Sequence, residues 1–229
     1  MKILVLTSCT RRKRLPAELT WKDFERGPEW IRQLEARKSL LPAEQMYTGD
    51  QHVRLMRGVR AARTTGISVG VWILSAGYGL LEGHRKIASY EASFLKLGNR
   101  EFQRRVKFLG LAQKIPQLLN RLGFDLKLIL LGKQYLETFS LADLTSRSPT
   151  LIVGSSENLD ALPSPVGLNK IILKTEDTKN FHCGLVGLKG EVANRIFRRL
   201  ASPEILTPGA LNKAMLQTQW TGPRRYSLF

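Results

Sequence analysis

Four stretches of the chain are apolar throughout rather than alternating: KILVLTS (2–8), VGVWILSA (69–76), LKLILLG (126–132) and TLIVGSS (150–156). A strand buried on both faces reads this way, which is the habit of parallel sheets covered by helices. KIILKT (170–175) predicts a fifth strand. Between these runs, apolar positions at helical spacing predict helices over roughly 22–39, 51–64, 99–121, 134–139 and 190–201. Strands alternating with helices make a doubly wound α/β domain, with a mainly parallel four- to five-stranded sheet and helices on both faces. LPSPVGLN (162–169) is a Pro/Gly linker within this domain. The pattern predicts one α/β catalytic domain over 1–201, then a basic and aromatic C-terminal extension over 202–229 ending in WTGPRRYSLF.

In such sheets ligands sit beyond the carboxyl ends of the strands. That rule gathers Ser8–Cys9, Ser75–Tyr78, Gly132–Lys133 and Gly154–Ser156 around one crevice.

Charge narrows what the crevice meets. The 229 residues carry 36 Lys and Arg against 19 Asp and Glu, a formal charge of +17. An imbalance of this size points to a polyanionic partner, of which nucleic acid is the commonest, or to a basic surface kept for solubility. TRRKR (10–14) follows the first strand at the ligand edge, so Arg11, Arg12, Lys13 and Arg14 are candidate phosphate ligands. Arginines at 54, 57, 60 and 63 form a stripe along one predicted helix, and only a polyanion or a crossing acidic helix would relieve their repulsion. In GLVGLKGEVANRIF (184–197), Gly187, Lys189 and Gly190 precede a predicted helix. Free backbone N–H groups and a lysine at a helix start suit a phosphate, and a tight turn entering a packed helix is the plainer alternative.

Several chemistries find no support. No apolar run approaches the roughly 20 residues of a membrane span, and no signal peptide is recognisable. Cys9 and Cys183 make no disulfide framework, so a reducing, cytoplasmic setting and no membrane partner are expected. His52, His84 and His182 lack metal-ligand spacing, and neither a GxSxG elbow nor a GxGxxG loop occurs. No metal and no cofactor are therefore expected. Cys9 could be a nucleophile, although no histidine is obviously paired with it and a cysteine at a strand end is more often structural.

What remains is aromatic and polar: Tyr47, Asp50 and Gln51, then Tyr78 and Glu82, then Tyr90 and Glu91. Rings and a carboxylate beside a basic groove are what base extrusion uses, with the flipped base stacked on a ring and read along its edge. Cleaving an N-glycosidic bond passes through an oxocarbenium-like sugar, which a carboxylate stabilises or supplies with an oriented water.

Three stretches in order, LVLTSCTRRKR, LPAEQMYTGDQ and WILSAGYGLLEGHRKIASYEASF, resemble a widespread bacterial family of α/β proteins. Its pattern is a strand ending in Cys-(Ser/Gly)-x-x-Lys, then Pro-Ala-x-x-Leu-Tyr-x-Gly, Ile-Leu-Ser-Ala-Lys-Tyr-Gly-Leu and Pro-Tyr-Asp. Pro42, Ala43, Tyr47 and Gly49 match the second element; Ser75, Ala76, Tyr78, Gly79 and Leu80 match the third. The resemblance covers about residues 2–95. Gly77 stands where the family carries lysine, and Ser89-Tyr90-Glu91 replaces Pro-Tyr-Asp.

Relatives of this family look like uracil-DNA-glycosylase-type folds and neighbour deazaguanine base-modification enzymes. The family is also similar to phage-restricting DNA glycosylases that remove glucosylated hydroxymethylcytosine from viral DNA. The resemblance implies a monofunctional DNA glycosylase, needing no cofactor because water is the nucleophile, that flips out and excises a modified base from phage DNA, leaving an abasic site. On that reading Glu91, with Asp50 as the alternative, is the catalytic carboxylate. Tyr47 and Tyr78 wall or stack on the base, and Ser8, Cys9, Thr10, Gln51 and Ser75 supply hydrogen bonds. Arg11, Arg12, Lys13, Arg14, Lys189 and the Gly190 backbone hold phosphates, and the missing side chain at Gly77 leaves room for a bulky base. Two rivals stay open: a non-catalytic DNA-binding module of stress protection, and an enzyme of modified-base nucleotide or RNA metabolism.

Overall fold

The computed structural model describes residues 1–145, 148–163, 165 and 167–201; the extension over 202–229 lies outside the described residues. Six strands form the central sheet: β1 (Lys2–Ser8), β2 (Ser68–Ser75), β3 (Gly79–Glu82), β4 (Leu126–Leu130), β5 (Thr150–Ser155) and β6 (Leu168–Leu173). They lie in the order β6-β5-β4-β1-β2-β3. All pairings are parallel except β2 with β3, a hairpin that returns along the edge. The five parallel strands are the five apolar runs, shifted by a residue or two at their ends.

The sixth strand escaped the pattern because GLLE has only four residues and no β-branched side chain. Its hairpin turns through Ala76–Gly77–Tyr78, with Ser75 in register with Gly79, whose φ of 76° suits a residue without Cβ. Two smaller pairings tie the loops down. Leu19–Thr20 runs parallel to Tyr90–Glu91, and Leu40–Pro42 runs antiparallel to Lys86–Ala88.

Four long helices matter for the site: α1 (Asp50–Thr64), α2 (Asn99–Leu109), α3 (Leu111–Leu119) and α4 (Leu185–Leu200). The helix expected over 99–121 is broken into α2 and α3 at Gly110, which is left-handed at φ 65°. The helix expected over 22–39 is likewise two, Trp21–Glu25 and Pro28–Glu35, parted at Gly27. Side chains paired in register across parallel strands share a face. Thr7 accepts a hydrogen bond from Gln51 of α1, so Ile3, Val5, Thr7 and their partners Val69, Val71 and Ile73 face α1. Lys127 donates to the Leu119 carbonyl of α3, so Leu4 and Leu6, in register with Lys127 and Ile129, face the other way. Helices on both faces explain why β1 and β4 have no polar-out alternation.

The α1–α4 contact departs furthest from expectation. α4 begins at Leu185, not at 190, and Gly187 and Gly190 are inside it. A Cβ on Gly190 would stand 2.1 Å from the Gln51 carbonyl oxygen, and one on Gly58 of α1 would stand 2.6 Å from the Asn194 Cα. These glycines let the two helix backbones touch. Gly190 lies in the second turn, past the unpaired N–H groups of the helix start, so it does not supply a free backbone donor for phosphate.

Among the described residues no helix is long and apolar enough to cross a membrane.

Candidate functional site

The sheet order places a reversal between β1 and β4. From β1 the chain moves one way to β2 and β3; from β4 it moves the other way to β5 and β6. A crevice opens at such a switch point, outside the carboxyl ends of the strands. Here that switch point lies between Ser8–Thr10 and Leu131–Lys133. Gln51, buried at the start of α1, closes its floor: Nε2 donates to Thr7 Oγ1 at 3.2 Å and to the Leu130 carbonyl at 3.0 Å, joining β1 to β4. The glycine contact of α4 with the Gln51 backbone holds this side chain in place.

From the opposite wall Lys189 reaches in and donates to the Leu131 carbonyl at 3.0 Å. Burial pulls its ammonium down to about 8. The lysine titrates near 10.5 in the unfolded chain, which therefore binds more protons than the folded one between those values. Stability should rise with pH across that window. The denaturant midpoint, measured at pH 7.5 and again near pH 10, should show the rise in the native chain and lose it in Lys189→Met. An unchanged rise in that variant would assign it to another group.

Above the floor, four hydroxyls and a thiol converge. The Tyr90 hydroxyl shares hydrogen bonds with Ser75 Oγ at 2.6 Å and with the Tyr47 hydroxyl at 2.9 Å, all within the buried interior. Cys9 Sγ lies 3.2 Å from the Tyr135 hydroxyl. Burial raises the titration of Tyr47, Tyr90 and Tyr135, so all three stay protonated at neutral pH and act as hydrogen-bond partners, not as anions. Ser8, Cys9, Thr10 and Tyr135 are half-buried, which makes them the polar groups a ligand in the crevice would meet.

The basic loop after β1 is fastened on both sides of these groups. Lys13 and Tyr47 form an antiparallel bridge, Arg14 N–H donates to the Met46 carbonyl, and Thr48 N–H donates to the Arg12 carbonyl. Thr10 Oγ1 accepts from Gly49 N–H. So held, the loop turns Arg11, Arg12 and Arg14 to solvent and Lys13 inward. The Lys13 ammonium sits 4.3 Å from the centroid of the Tyr90 ring. Burial lowers its pKa, while the charges of Cys9 and Glu91 act to raise it, so both groups are its neighbours.

Among the described residues no group of three His, Cys, Asp or Glu could hold a metal ion. No protein-family model and no curated protein matches the chain.

The structure gathers Ser8, Cys9, Thr10, Tyr47, Gln51, Ser75, Lys13 and Lys189 about the crevice, and leaves Glu91 exposed, with its charge acting on Lys13. It separates others by role. Asp50 is engaged by Arg54 at 2.9 Å, and Arg54 also bonds Glu191 of α4 at 3.1 Å. Asp50 therefore serves the α1–α4 joint. Two of the four arginines along α1 are neutralised in this way, since Arg63 pairs with Glu44 at 3.1 Å; Arg57 and Arg60 face solvent.

Tyr78 is fixed by the Ala88 backbone N–H, which donates to its hydroxyl at 3.1 Å, and by Phe24, edge-on at 4.7 Å. It braces the hairpin. Gly77 opens no space: a Cβ there would meet Phe24 Cε2 at 2.6 Å and Tyr90 Cδ2 at 3.0 Å. The room expected for a bulky base is filled by Phe24. Tyr135 is the crevice residue that the sequence pattern did not single out. Its only signal was its place three residues beyond Gly132, at the end of β4.

Proposed function

We propose that the protein is a DNA glycosylase that hydrolyses an N-glycosidic bond in phosphate-backbone-bound DNA and leaves an abasic site. One observation carries the reading: a single fastened loop turns Arg11, Arg12 and Arg14 outward and Lys13 inward, beside the thiol and hydroxyls of the switch-point crevice. Exposed arginines at the lip of a polar crevice suit a ligand with phosphates outside and its reacting nucleoside inside. Tyr135, half-buried and held by Cys9, is the ring against which a base would stack. Glu91 orients the attacking water or stabilises the oxocarbenium-like sugar; Asp50, committed to Arg54, does not compete for that role.

The base, glucosylated hydroxymethylcytosine of phage DNA, and with it a role in anti-phage defence and kinship with uracil-DNA-glycosylase-type folds, are proposed from the motif resemblance. Gly77 no longer contributes to that choice. The protein should be incubated with unmodified DNA and with glucosylated phage DNA, and both then treated with hot alkali. Breaks confined to modified DNA are expected. Glu91→Gln should lower their yield by about 100-fold or more while leaving DNA affinity intact. Binding with no breaks on either DNA would leave a non-catalytic module, and full activity in Glu91→Gln would move the carboxylate role elsewhere.

A further inference from the structure

We infer that Lys13 is an amine nucleophile, and that the protein also cleaves abasic DNA by β-elimination at the site where it excises the base. The inference rests on the reading of the crevice as a DNA site and adds a second reaction there. Of the cations in the loop, Lys13 is the one turned inward; Arg11, Arg12 and Arg14 are exposed. Its nitrogen lies over the Tyr90 ring, and its one hydrogen bond is a long one of 3.5 Å to the Arg11 carbonyl. Only a lysine among these residues can give up its proton and attack, since guanidinium stays charged. Desolvation favours the neutral amine, the usual way a lysine is readied for imine chemistry.

An abasic sugar is in equilibrium with its ring-opened aldehyde. The Lys13 lone pair adds to C1′, the carbonyl oxygen leaves as water, and a protonated imine remains. Glu91, exposed and electrostatically coupled to Lys13, takes a proton from C2′. The released electron pair forms the C2′–C3′ double bond, and the 3′ phosphate departs with the electrons of the C3′–O bond. Water then hydrolyses the imine, returns the amine and releases the unsaturated aldehyde. The proton on Glu91 passes to solvent. No oxidant or reductant is used.

The test is an oligonucleotide with one natural abasic site, incubated with the full-length protein and sodium borohydride. Borohydride reduces the imine to a stable secondary amine, so a covalent protein–DNA adduct is expected, mapping to Lys13 after tryptic digestion. Without borohydride the strand should break at neutral pH with no alkali. Lys13→Ala and Lys13→Arg should both lose the adduct, by 100-fold or more, with thermal melting and abasic-DNA binding used to show that each variant is folded. Binding without an adduct, or an adduct that maps to another amine, overturns the role of Lys13 and leaves base excision untouched. No binding to abasic or modified DNA would sink both readings.

Discussion

Gly190→Ala should cost about 3 kcal/mol or more of stability and weaken whatever the crevice binds. A methyl group at that position would enter to 2.1 Å from the backbone carbonyl of Gln51, an atom that cannot rotate away. Relief requires α1 and α4 to part, and both are long helices carrying buried residues along the shared face. Gln51 would then lose its place between Thr7 and Leu130, and Lys189 its reach to Leu131. Gly187→Ala supplies the contrast. Its methyl would meet the Asp50 carboxylate at 1.9 Å and Arg54 Nε at 2.9 Å, but both end flexible side chains that can swing aside at the cost of loosening their ion pair. Replacing glycine by alanine in the first turn of the helix offsets part of that loss. Gly187→Ala should therefore cost much less than Gly190→Ala. Denaturant midpoints of the two variants test the argument, and equal losses would show that backbone approach is not what Gly190 provides.

Gly77→Ala is expected to destabilise by about 2 kcal/mol, with a lysine at that position costing at least as much. The backbone at Gly77 is not in the left-handed region, so packing alone demands glycine there. The obstacle is the Phe24 ring, which is 4% exposed and held between Tyr78 at 4.7 Å and Tyr90 at 5.6 Å. Phe24→Ala alone should cost about 3–5 kcal/mol through the cavity it leaves. Because the two residues occupy one space, Phe24→Ala with Gly77→Lys should cost at least about 1 kcal/mol less than the sum of the single changes. Simple additivity in thermal or chemical unfolding would mean that Phe24 does not fill the space a side chain at position 77 would enter.

Both expectations rest on contacts the sequence pattern does not carry. The parallel strands were legible because burial on both faces leaves uninterrupted apolar runs, and the crevice followed from where those runs end. β3 was not legible: four residues folded back as a hairpin carry no periodic signal. Glycine is ambiguous in a sequence. Gly187 and Gly190 read as a turn before a helix, whereas both lie within α4, and at Gly190 a second helix backbone comes close. Lys13 read as one of four equivalent phosphate ligands, because only its bridge to Tyr47, 34 positions away, decides that it faces inward. Tyr135 was lost for the same reason, its partner Cys9 being 126 residues earlier. Long-range pairing chose among residues of the right type, and the sequence showed only the types.

The bridge between Lys13 and Tyr47 makes the basic loop behave as a strand with two sides. Successive residues of a strand point in opposite directions, so the division of labour at 12, 13 and 14 is an alternation of period two. From Arg12 to Arg14 the loop's chemistry is thus written in its parity, while Arg11, which precedes the bridged stretch, is exposed as well. Slipping the bridge by one residue would keep every positive charge and the net field that draws a polyanion. It would also seat a guanidinium over Tyr90, where a group that can release a proton had been.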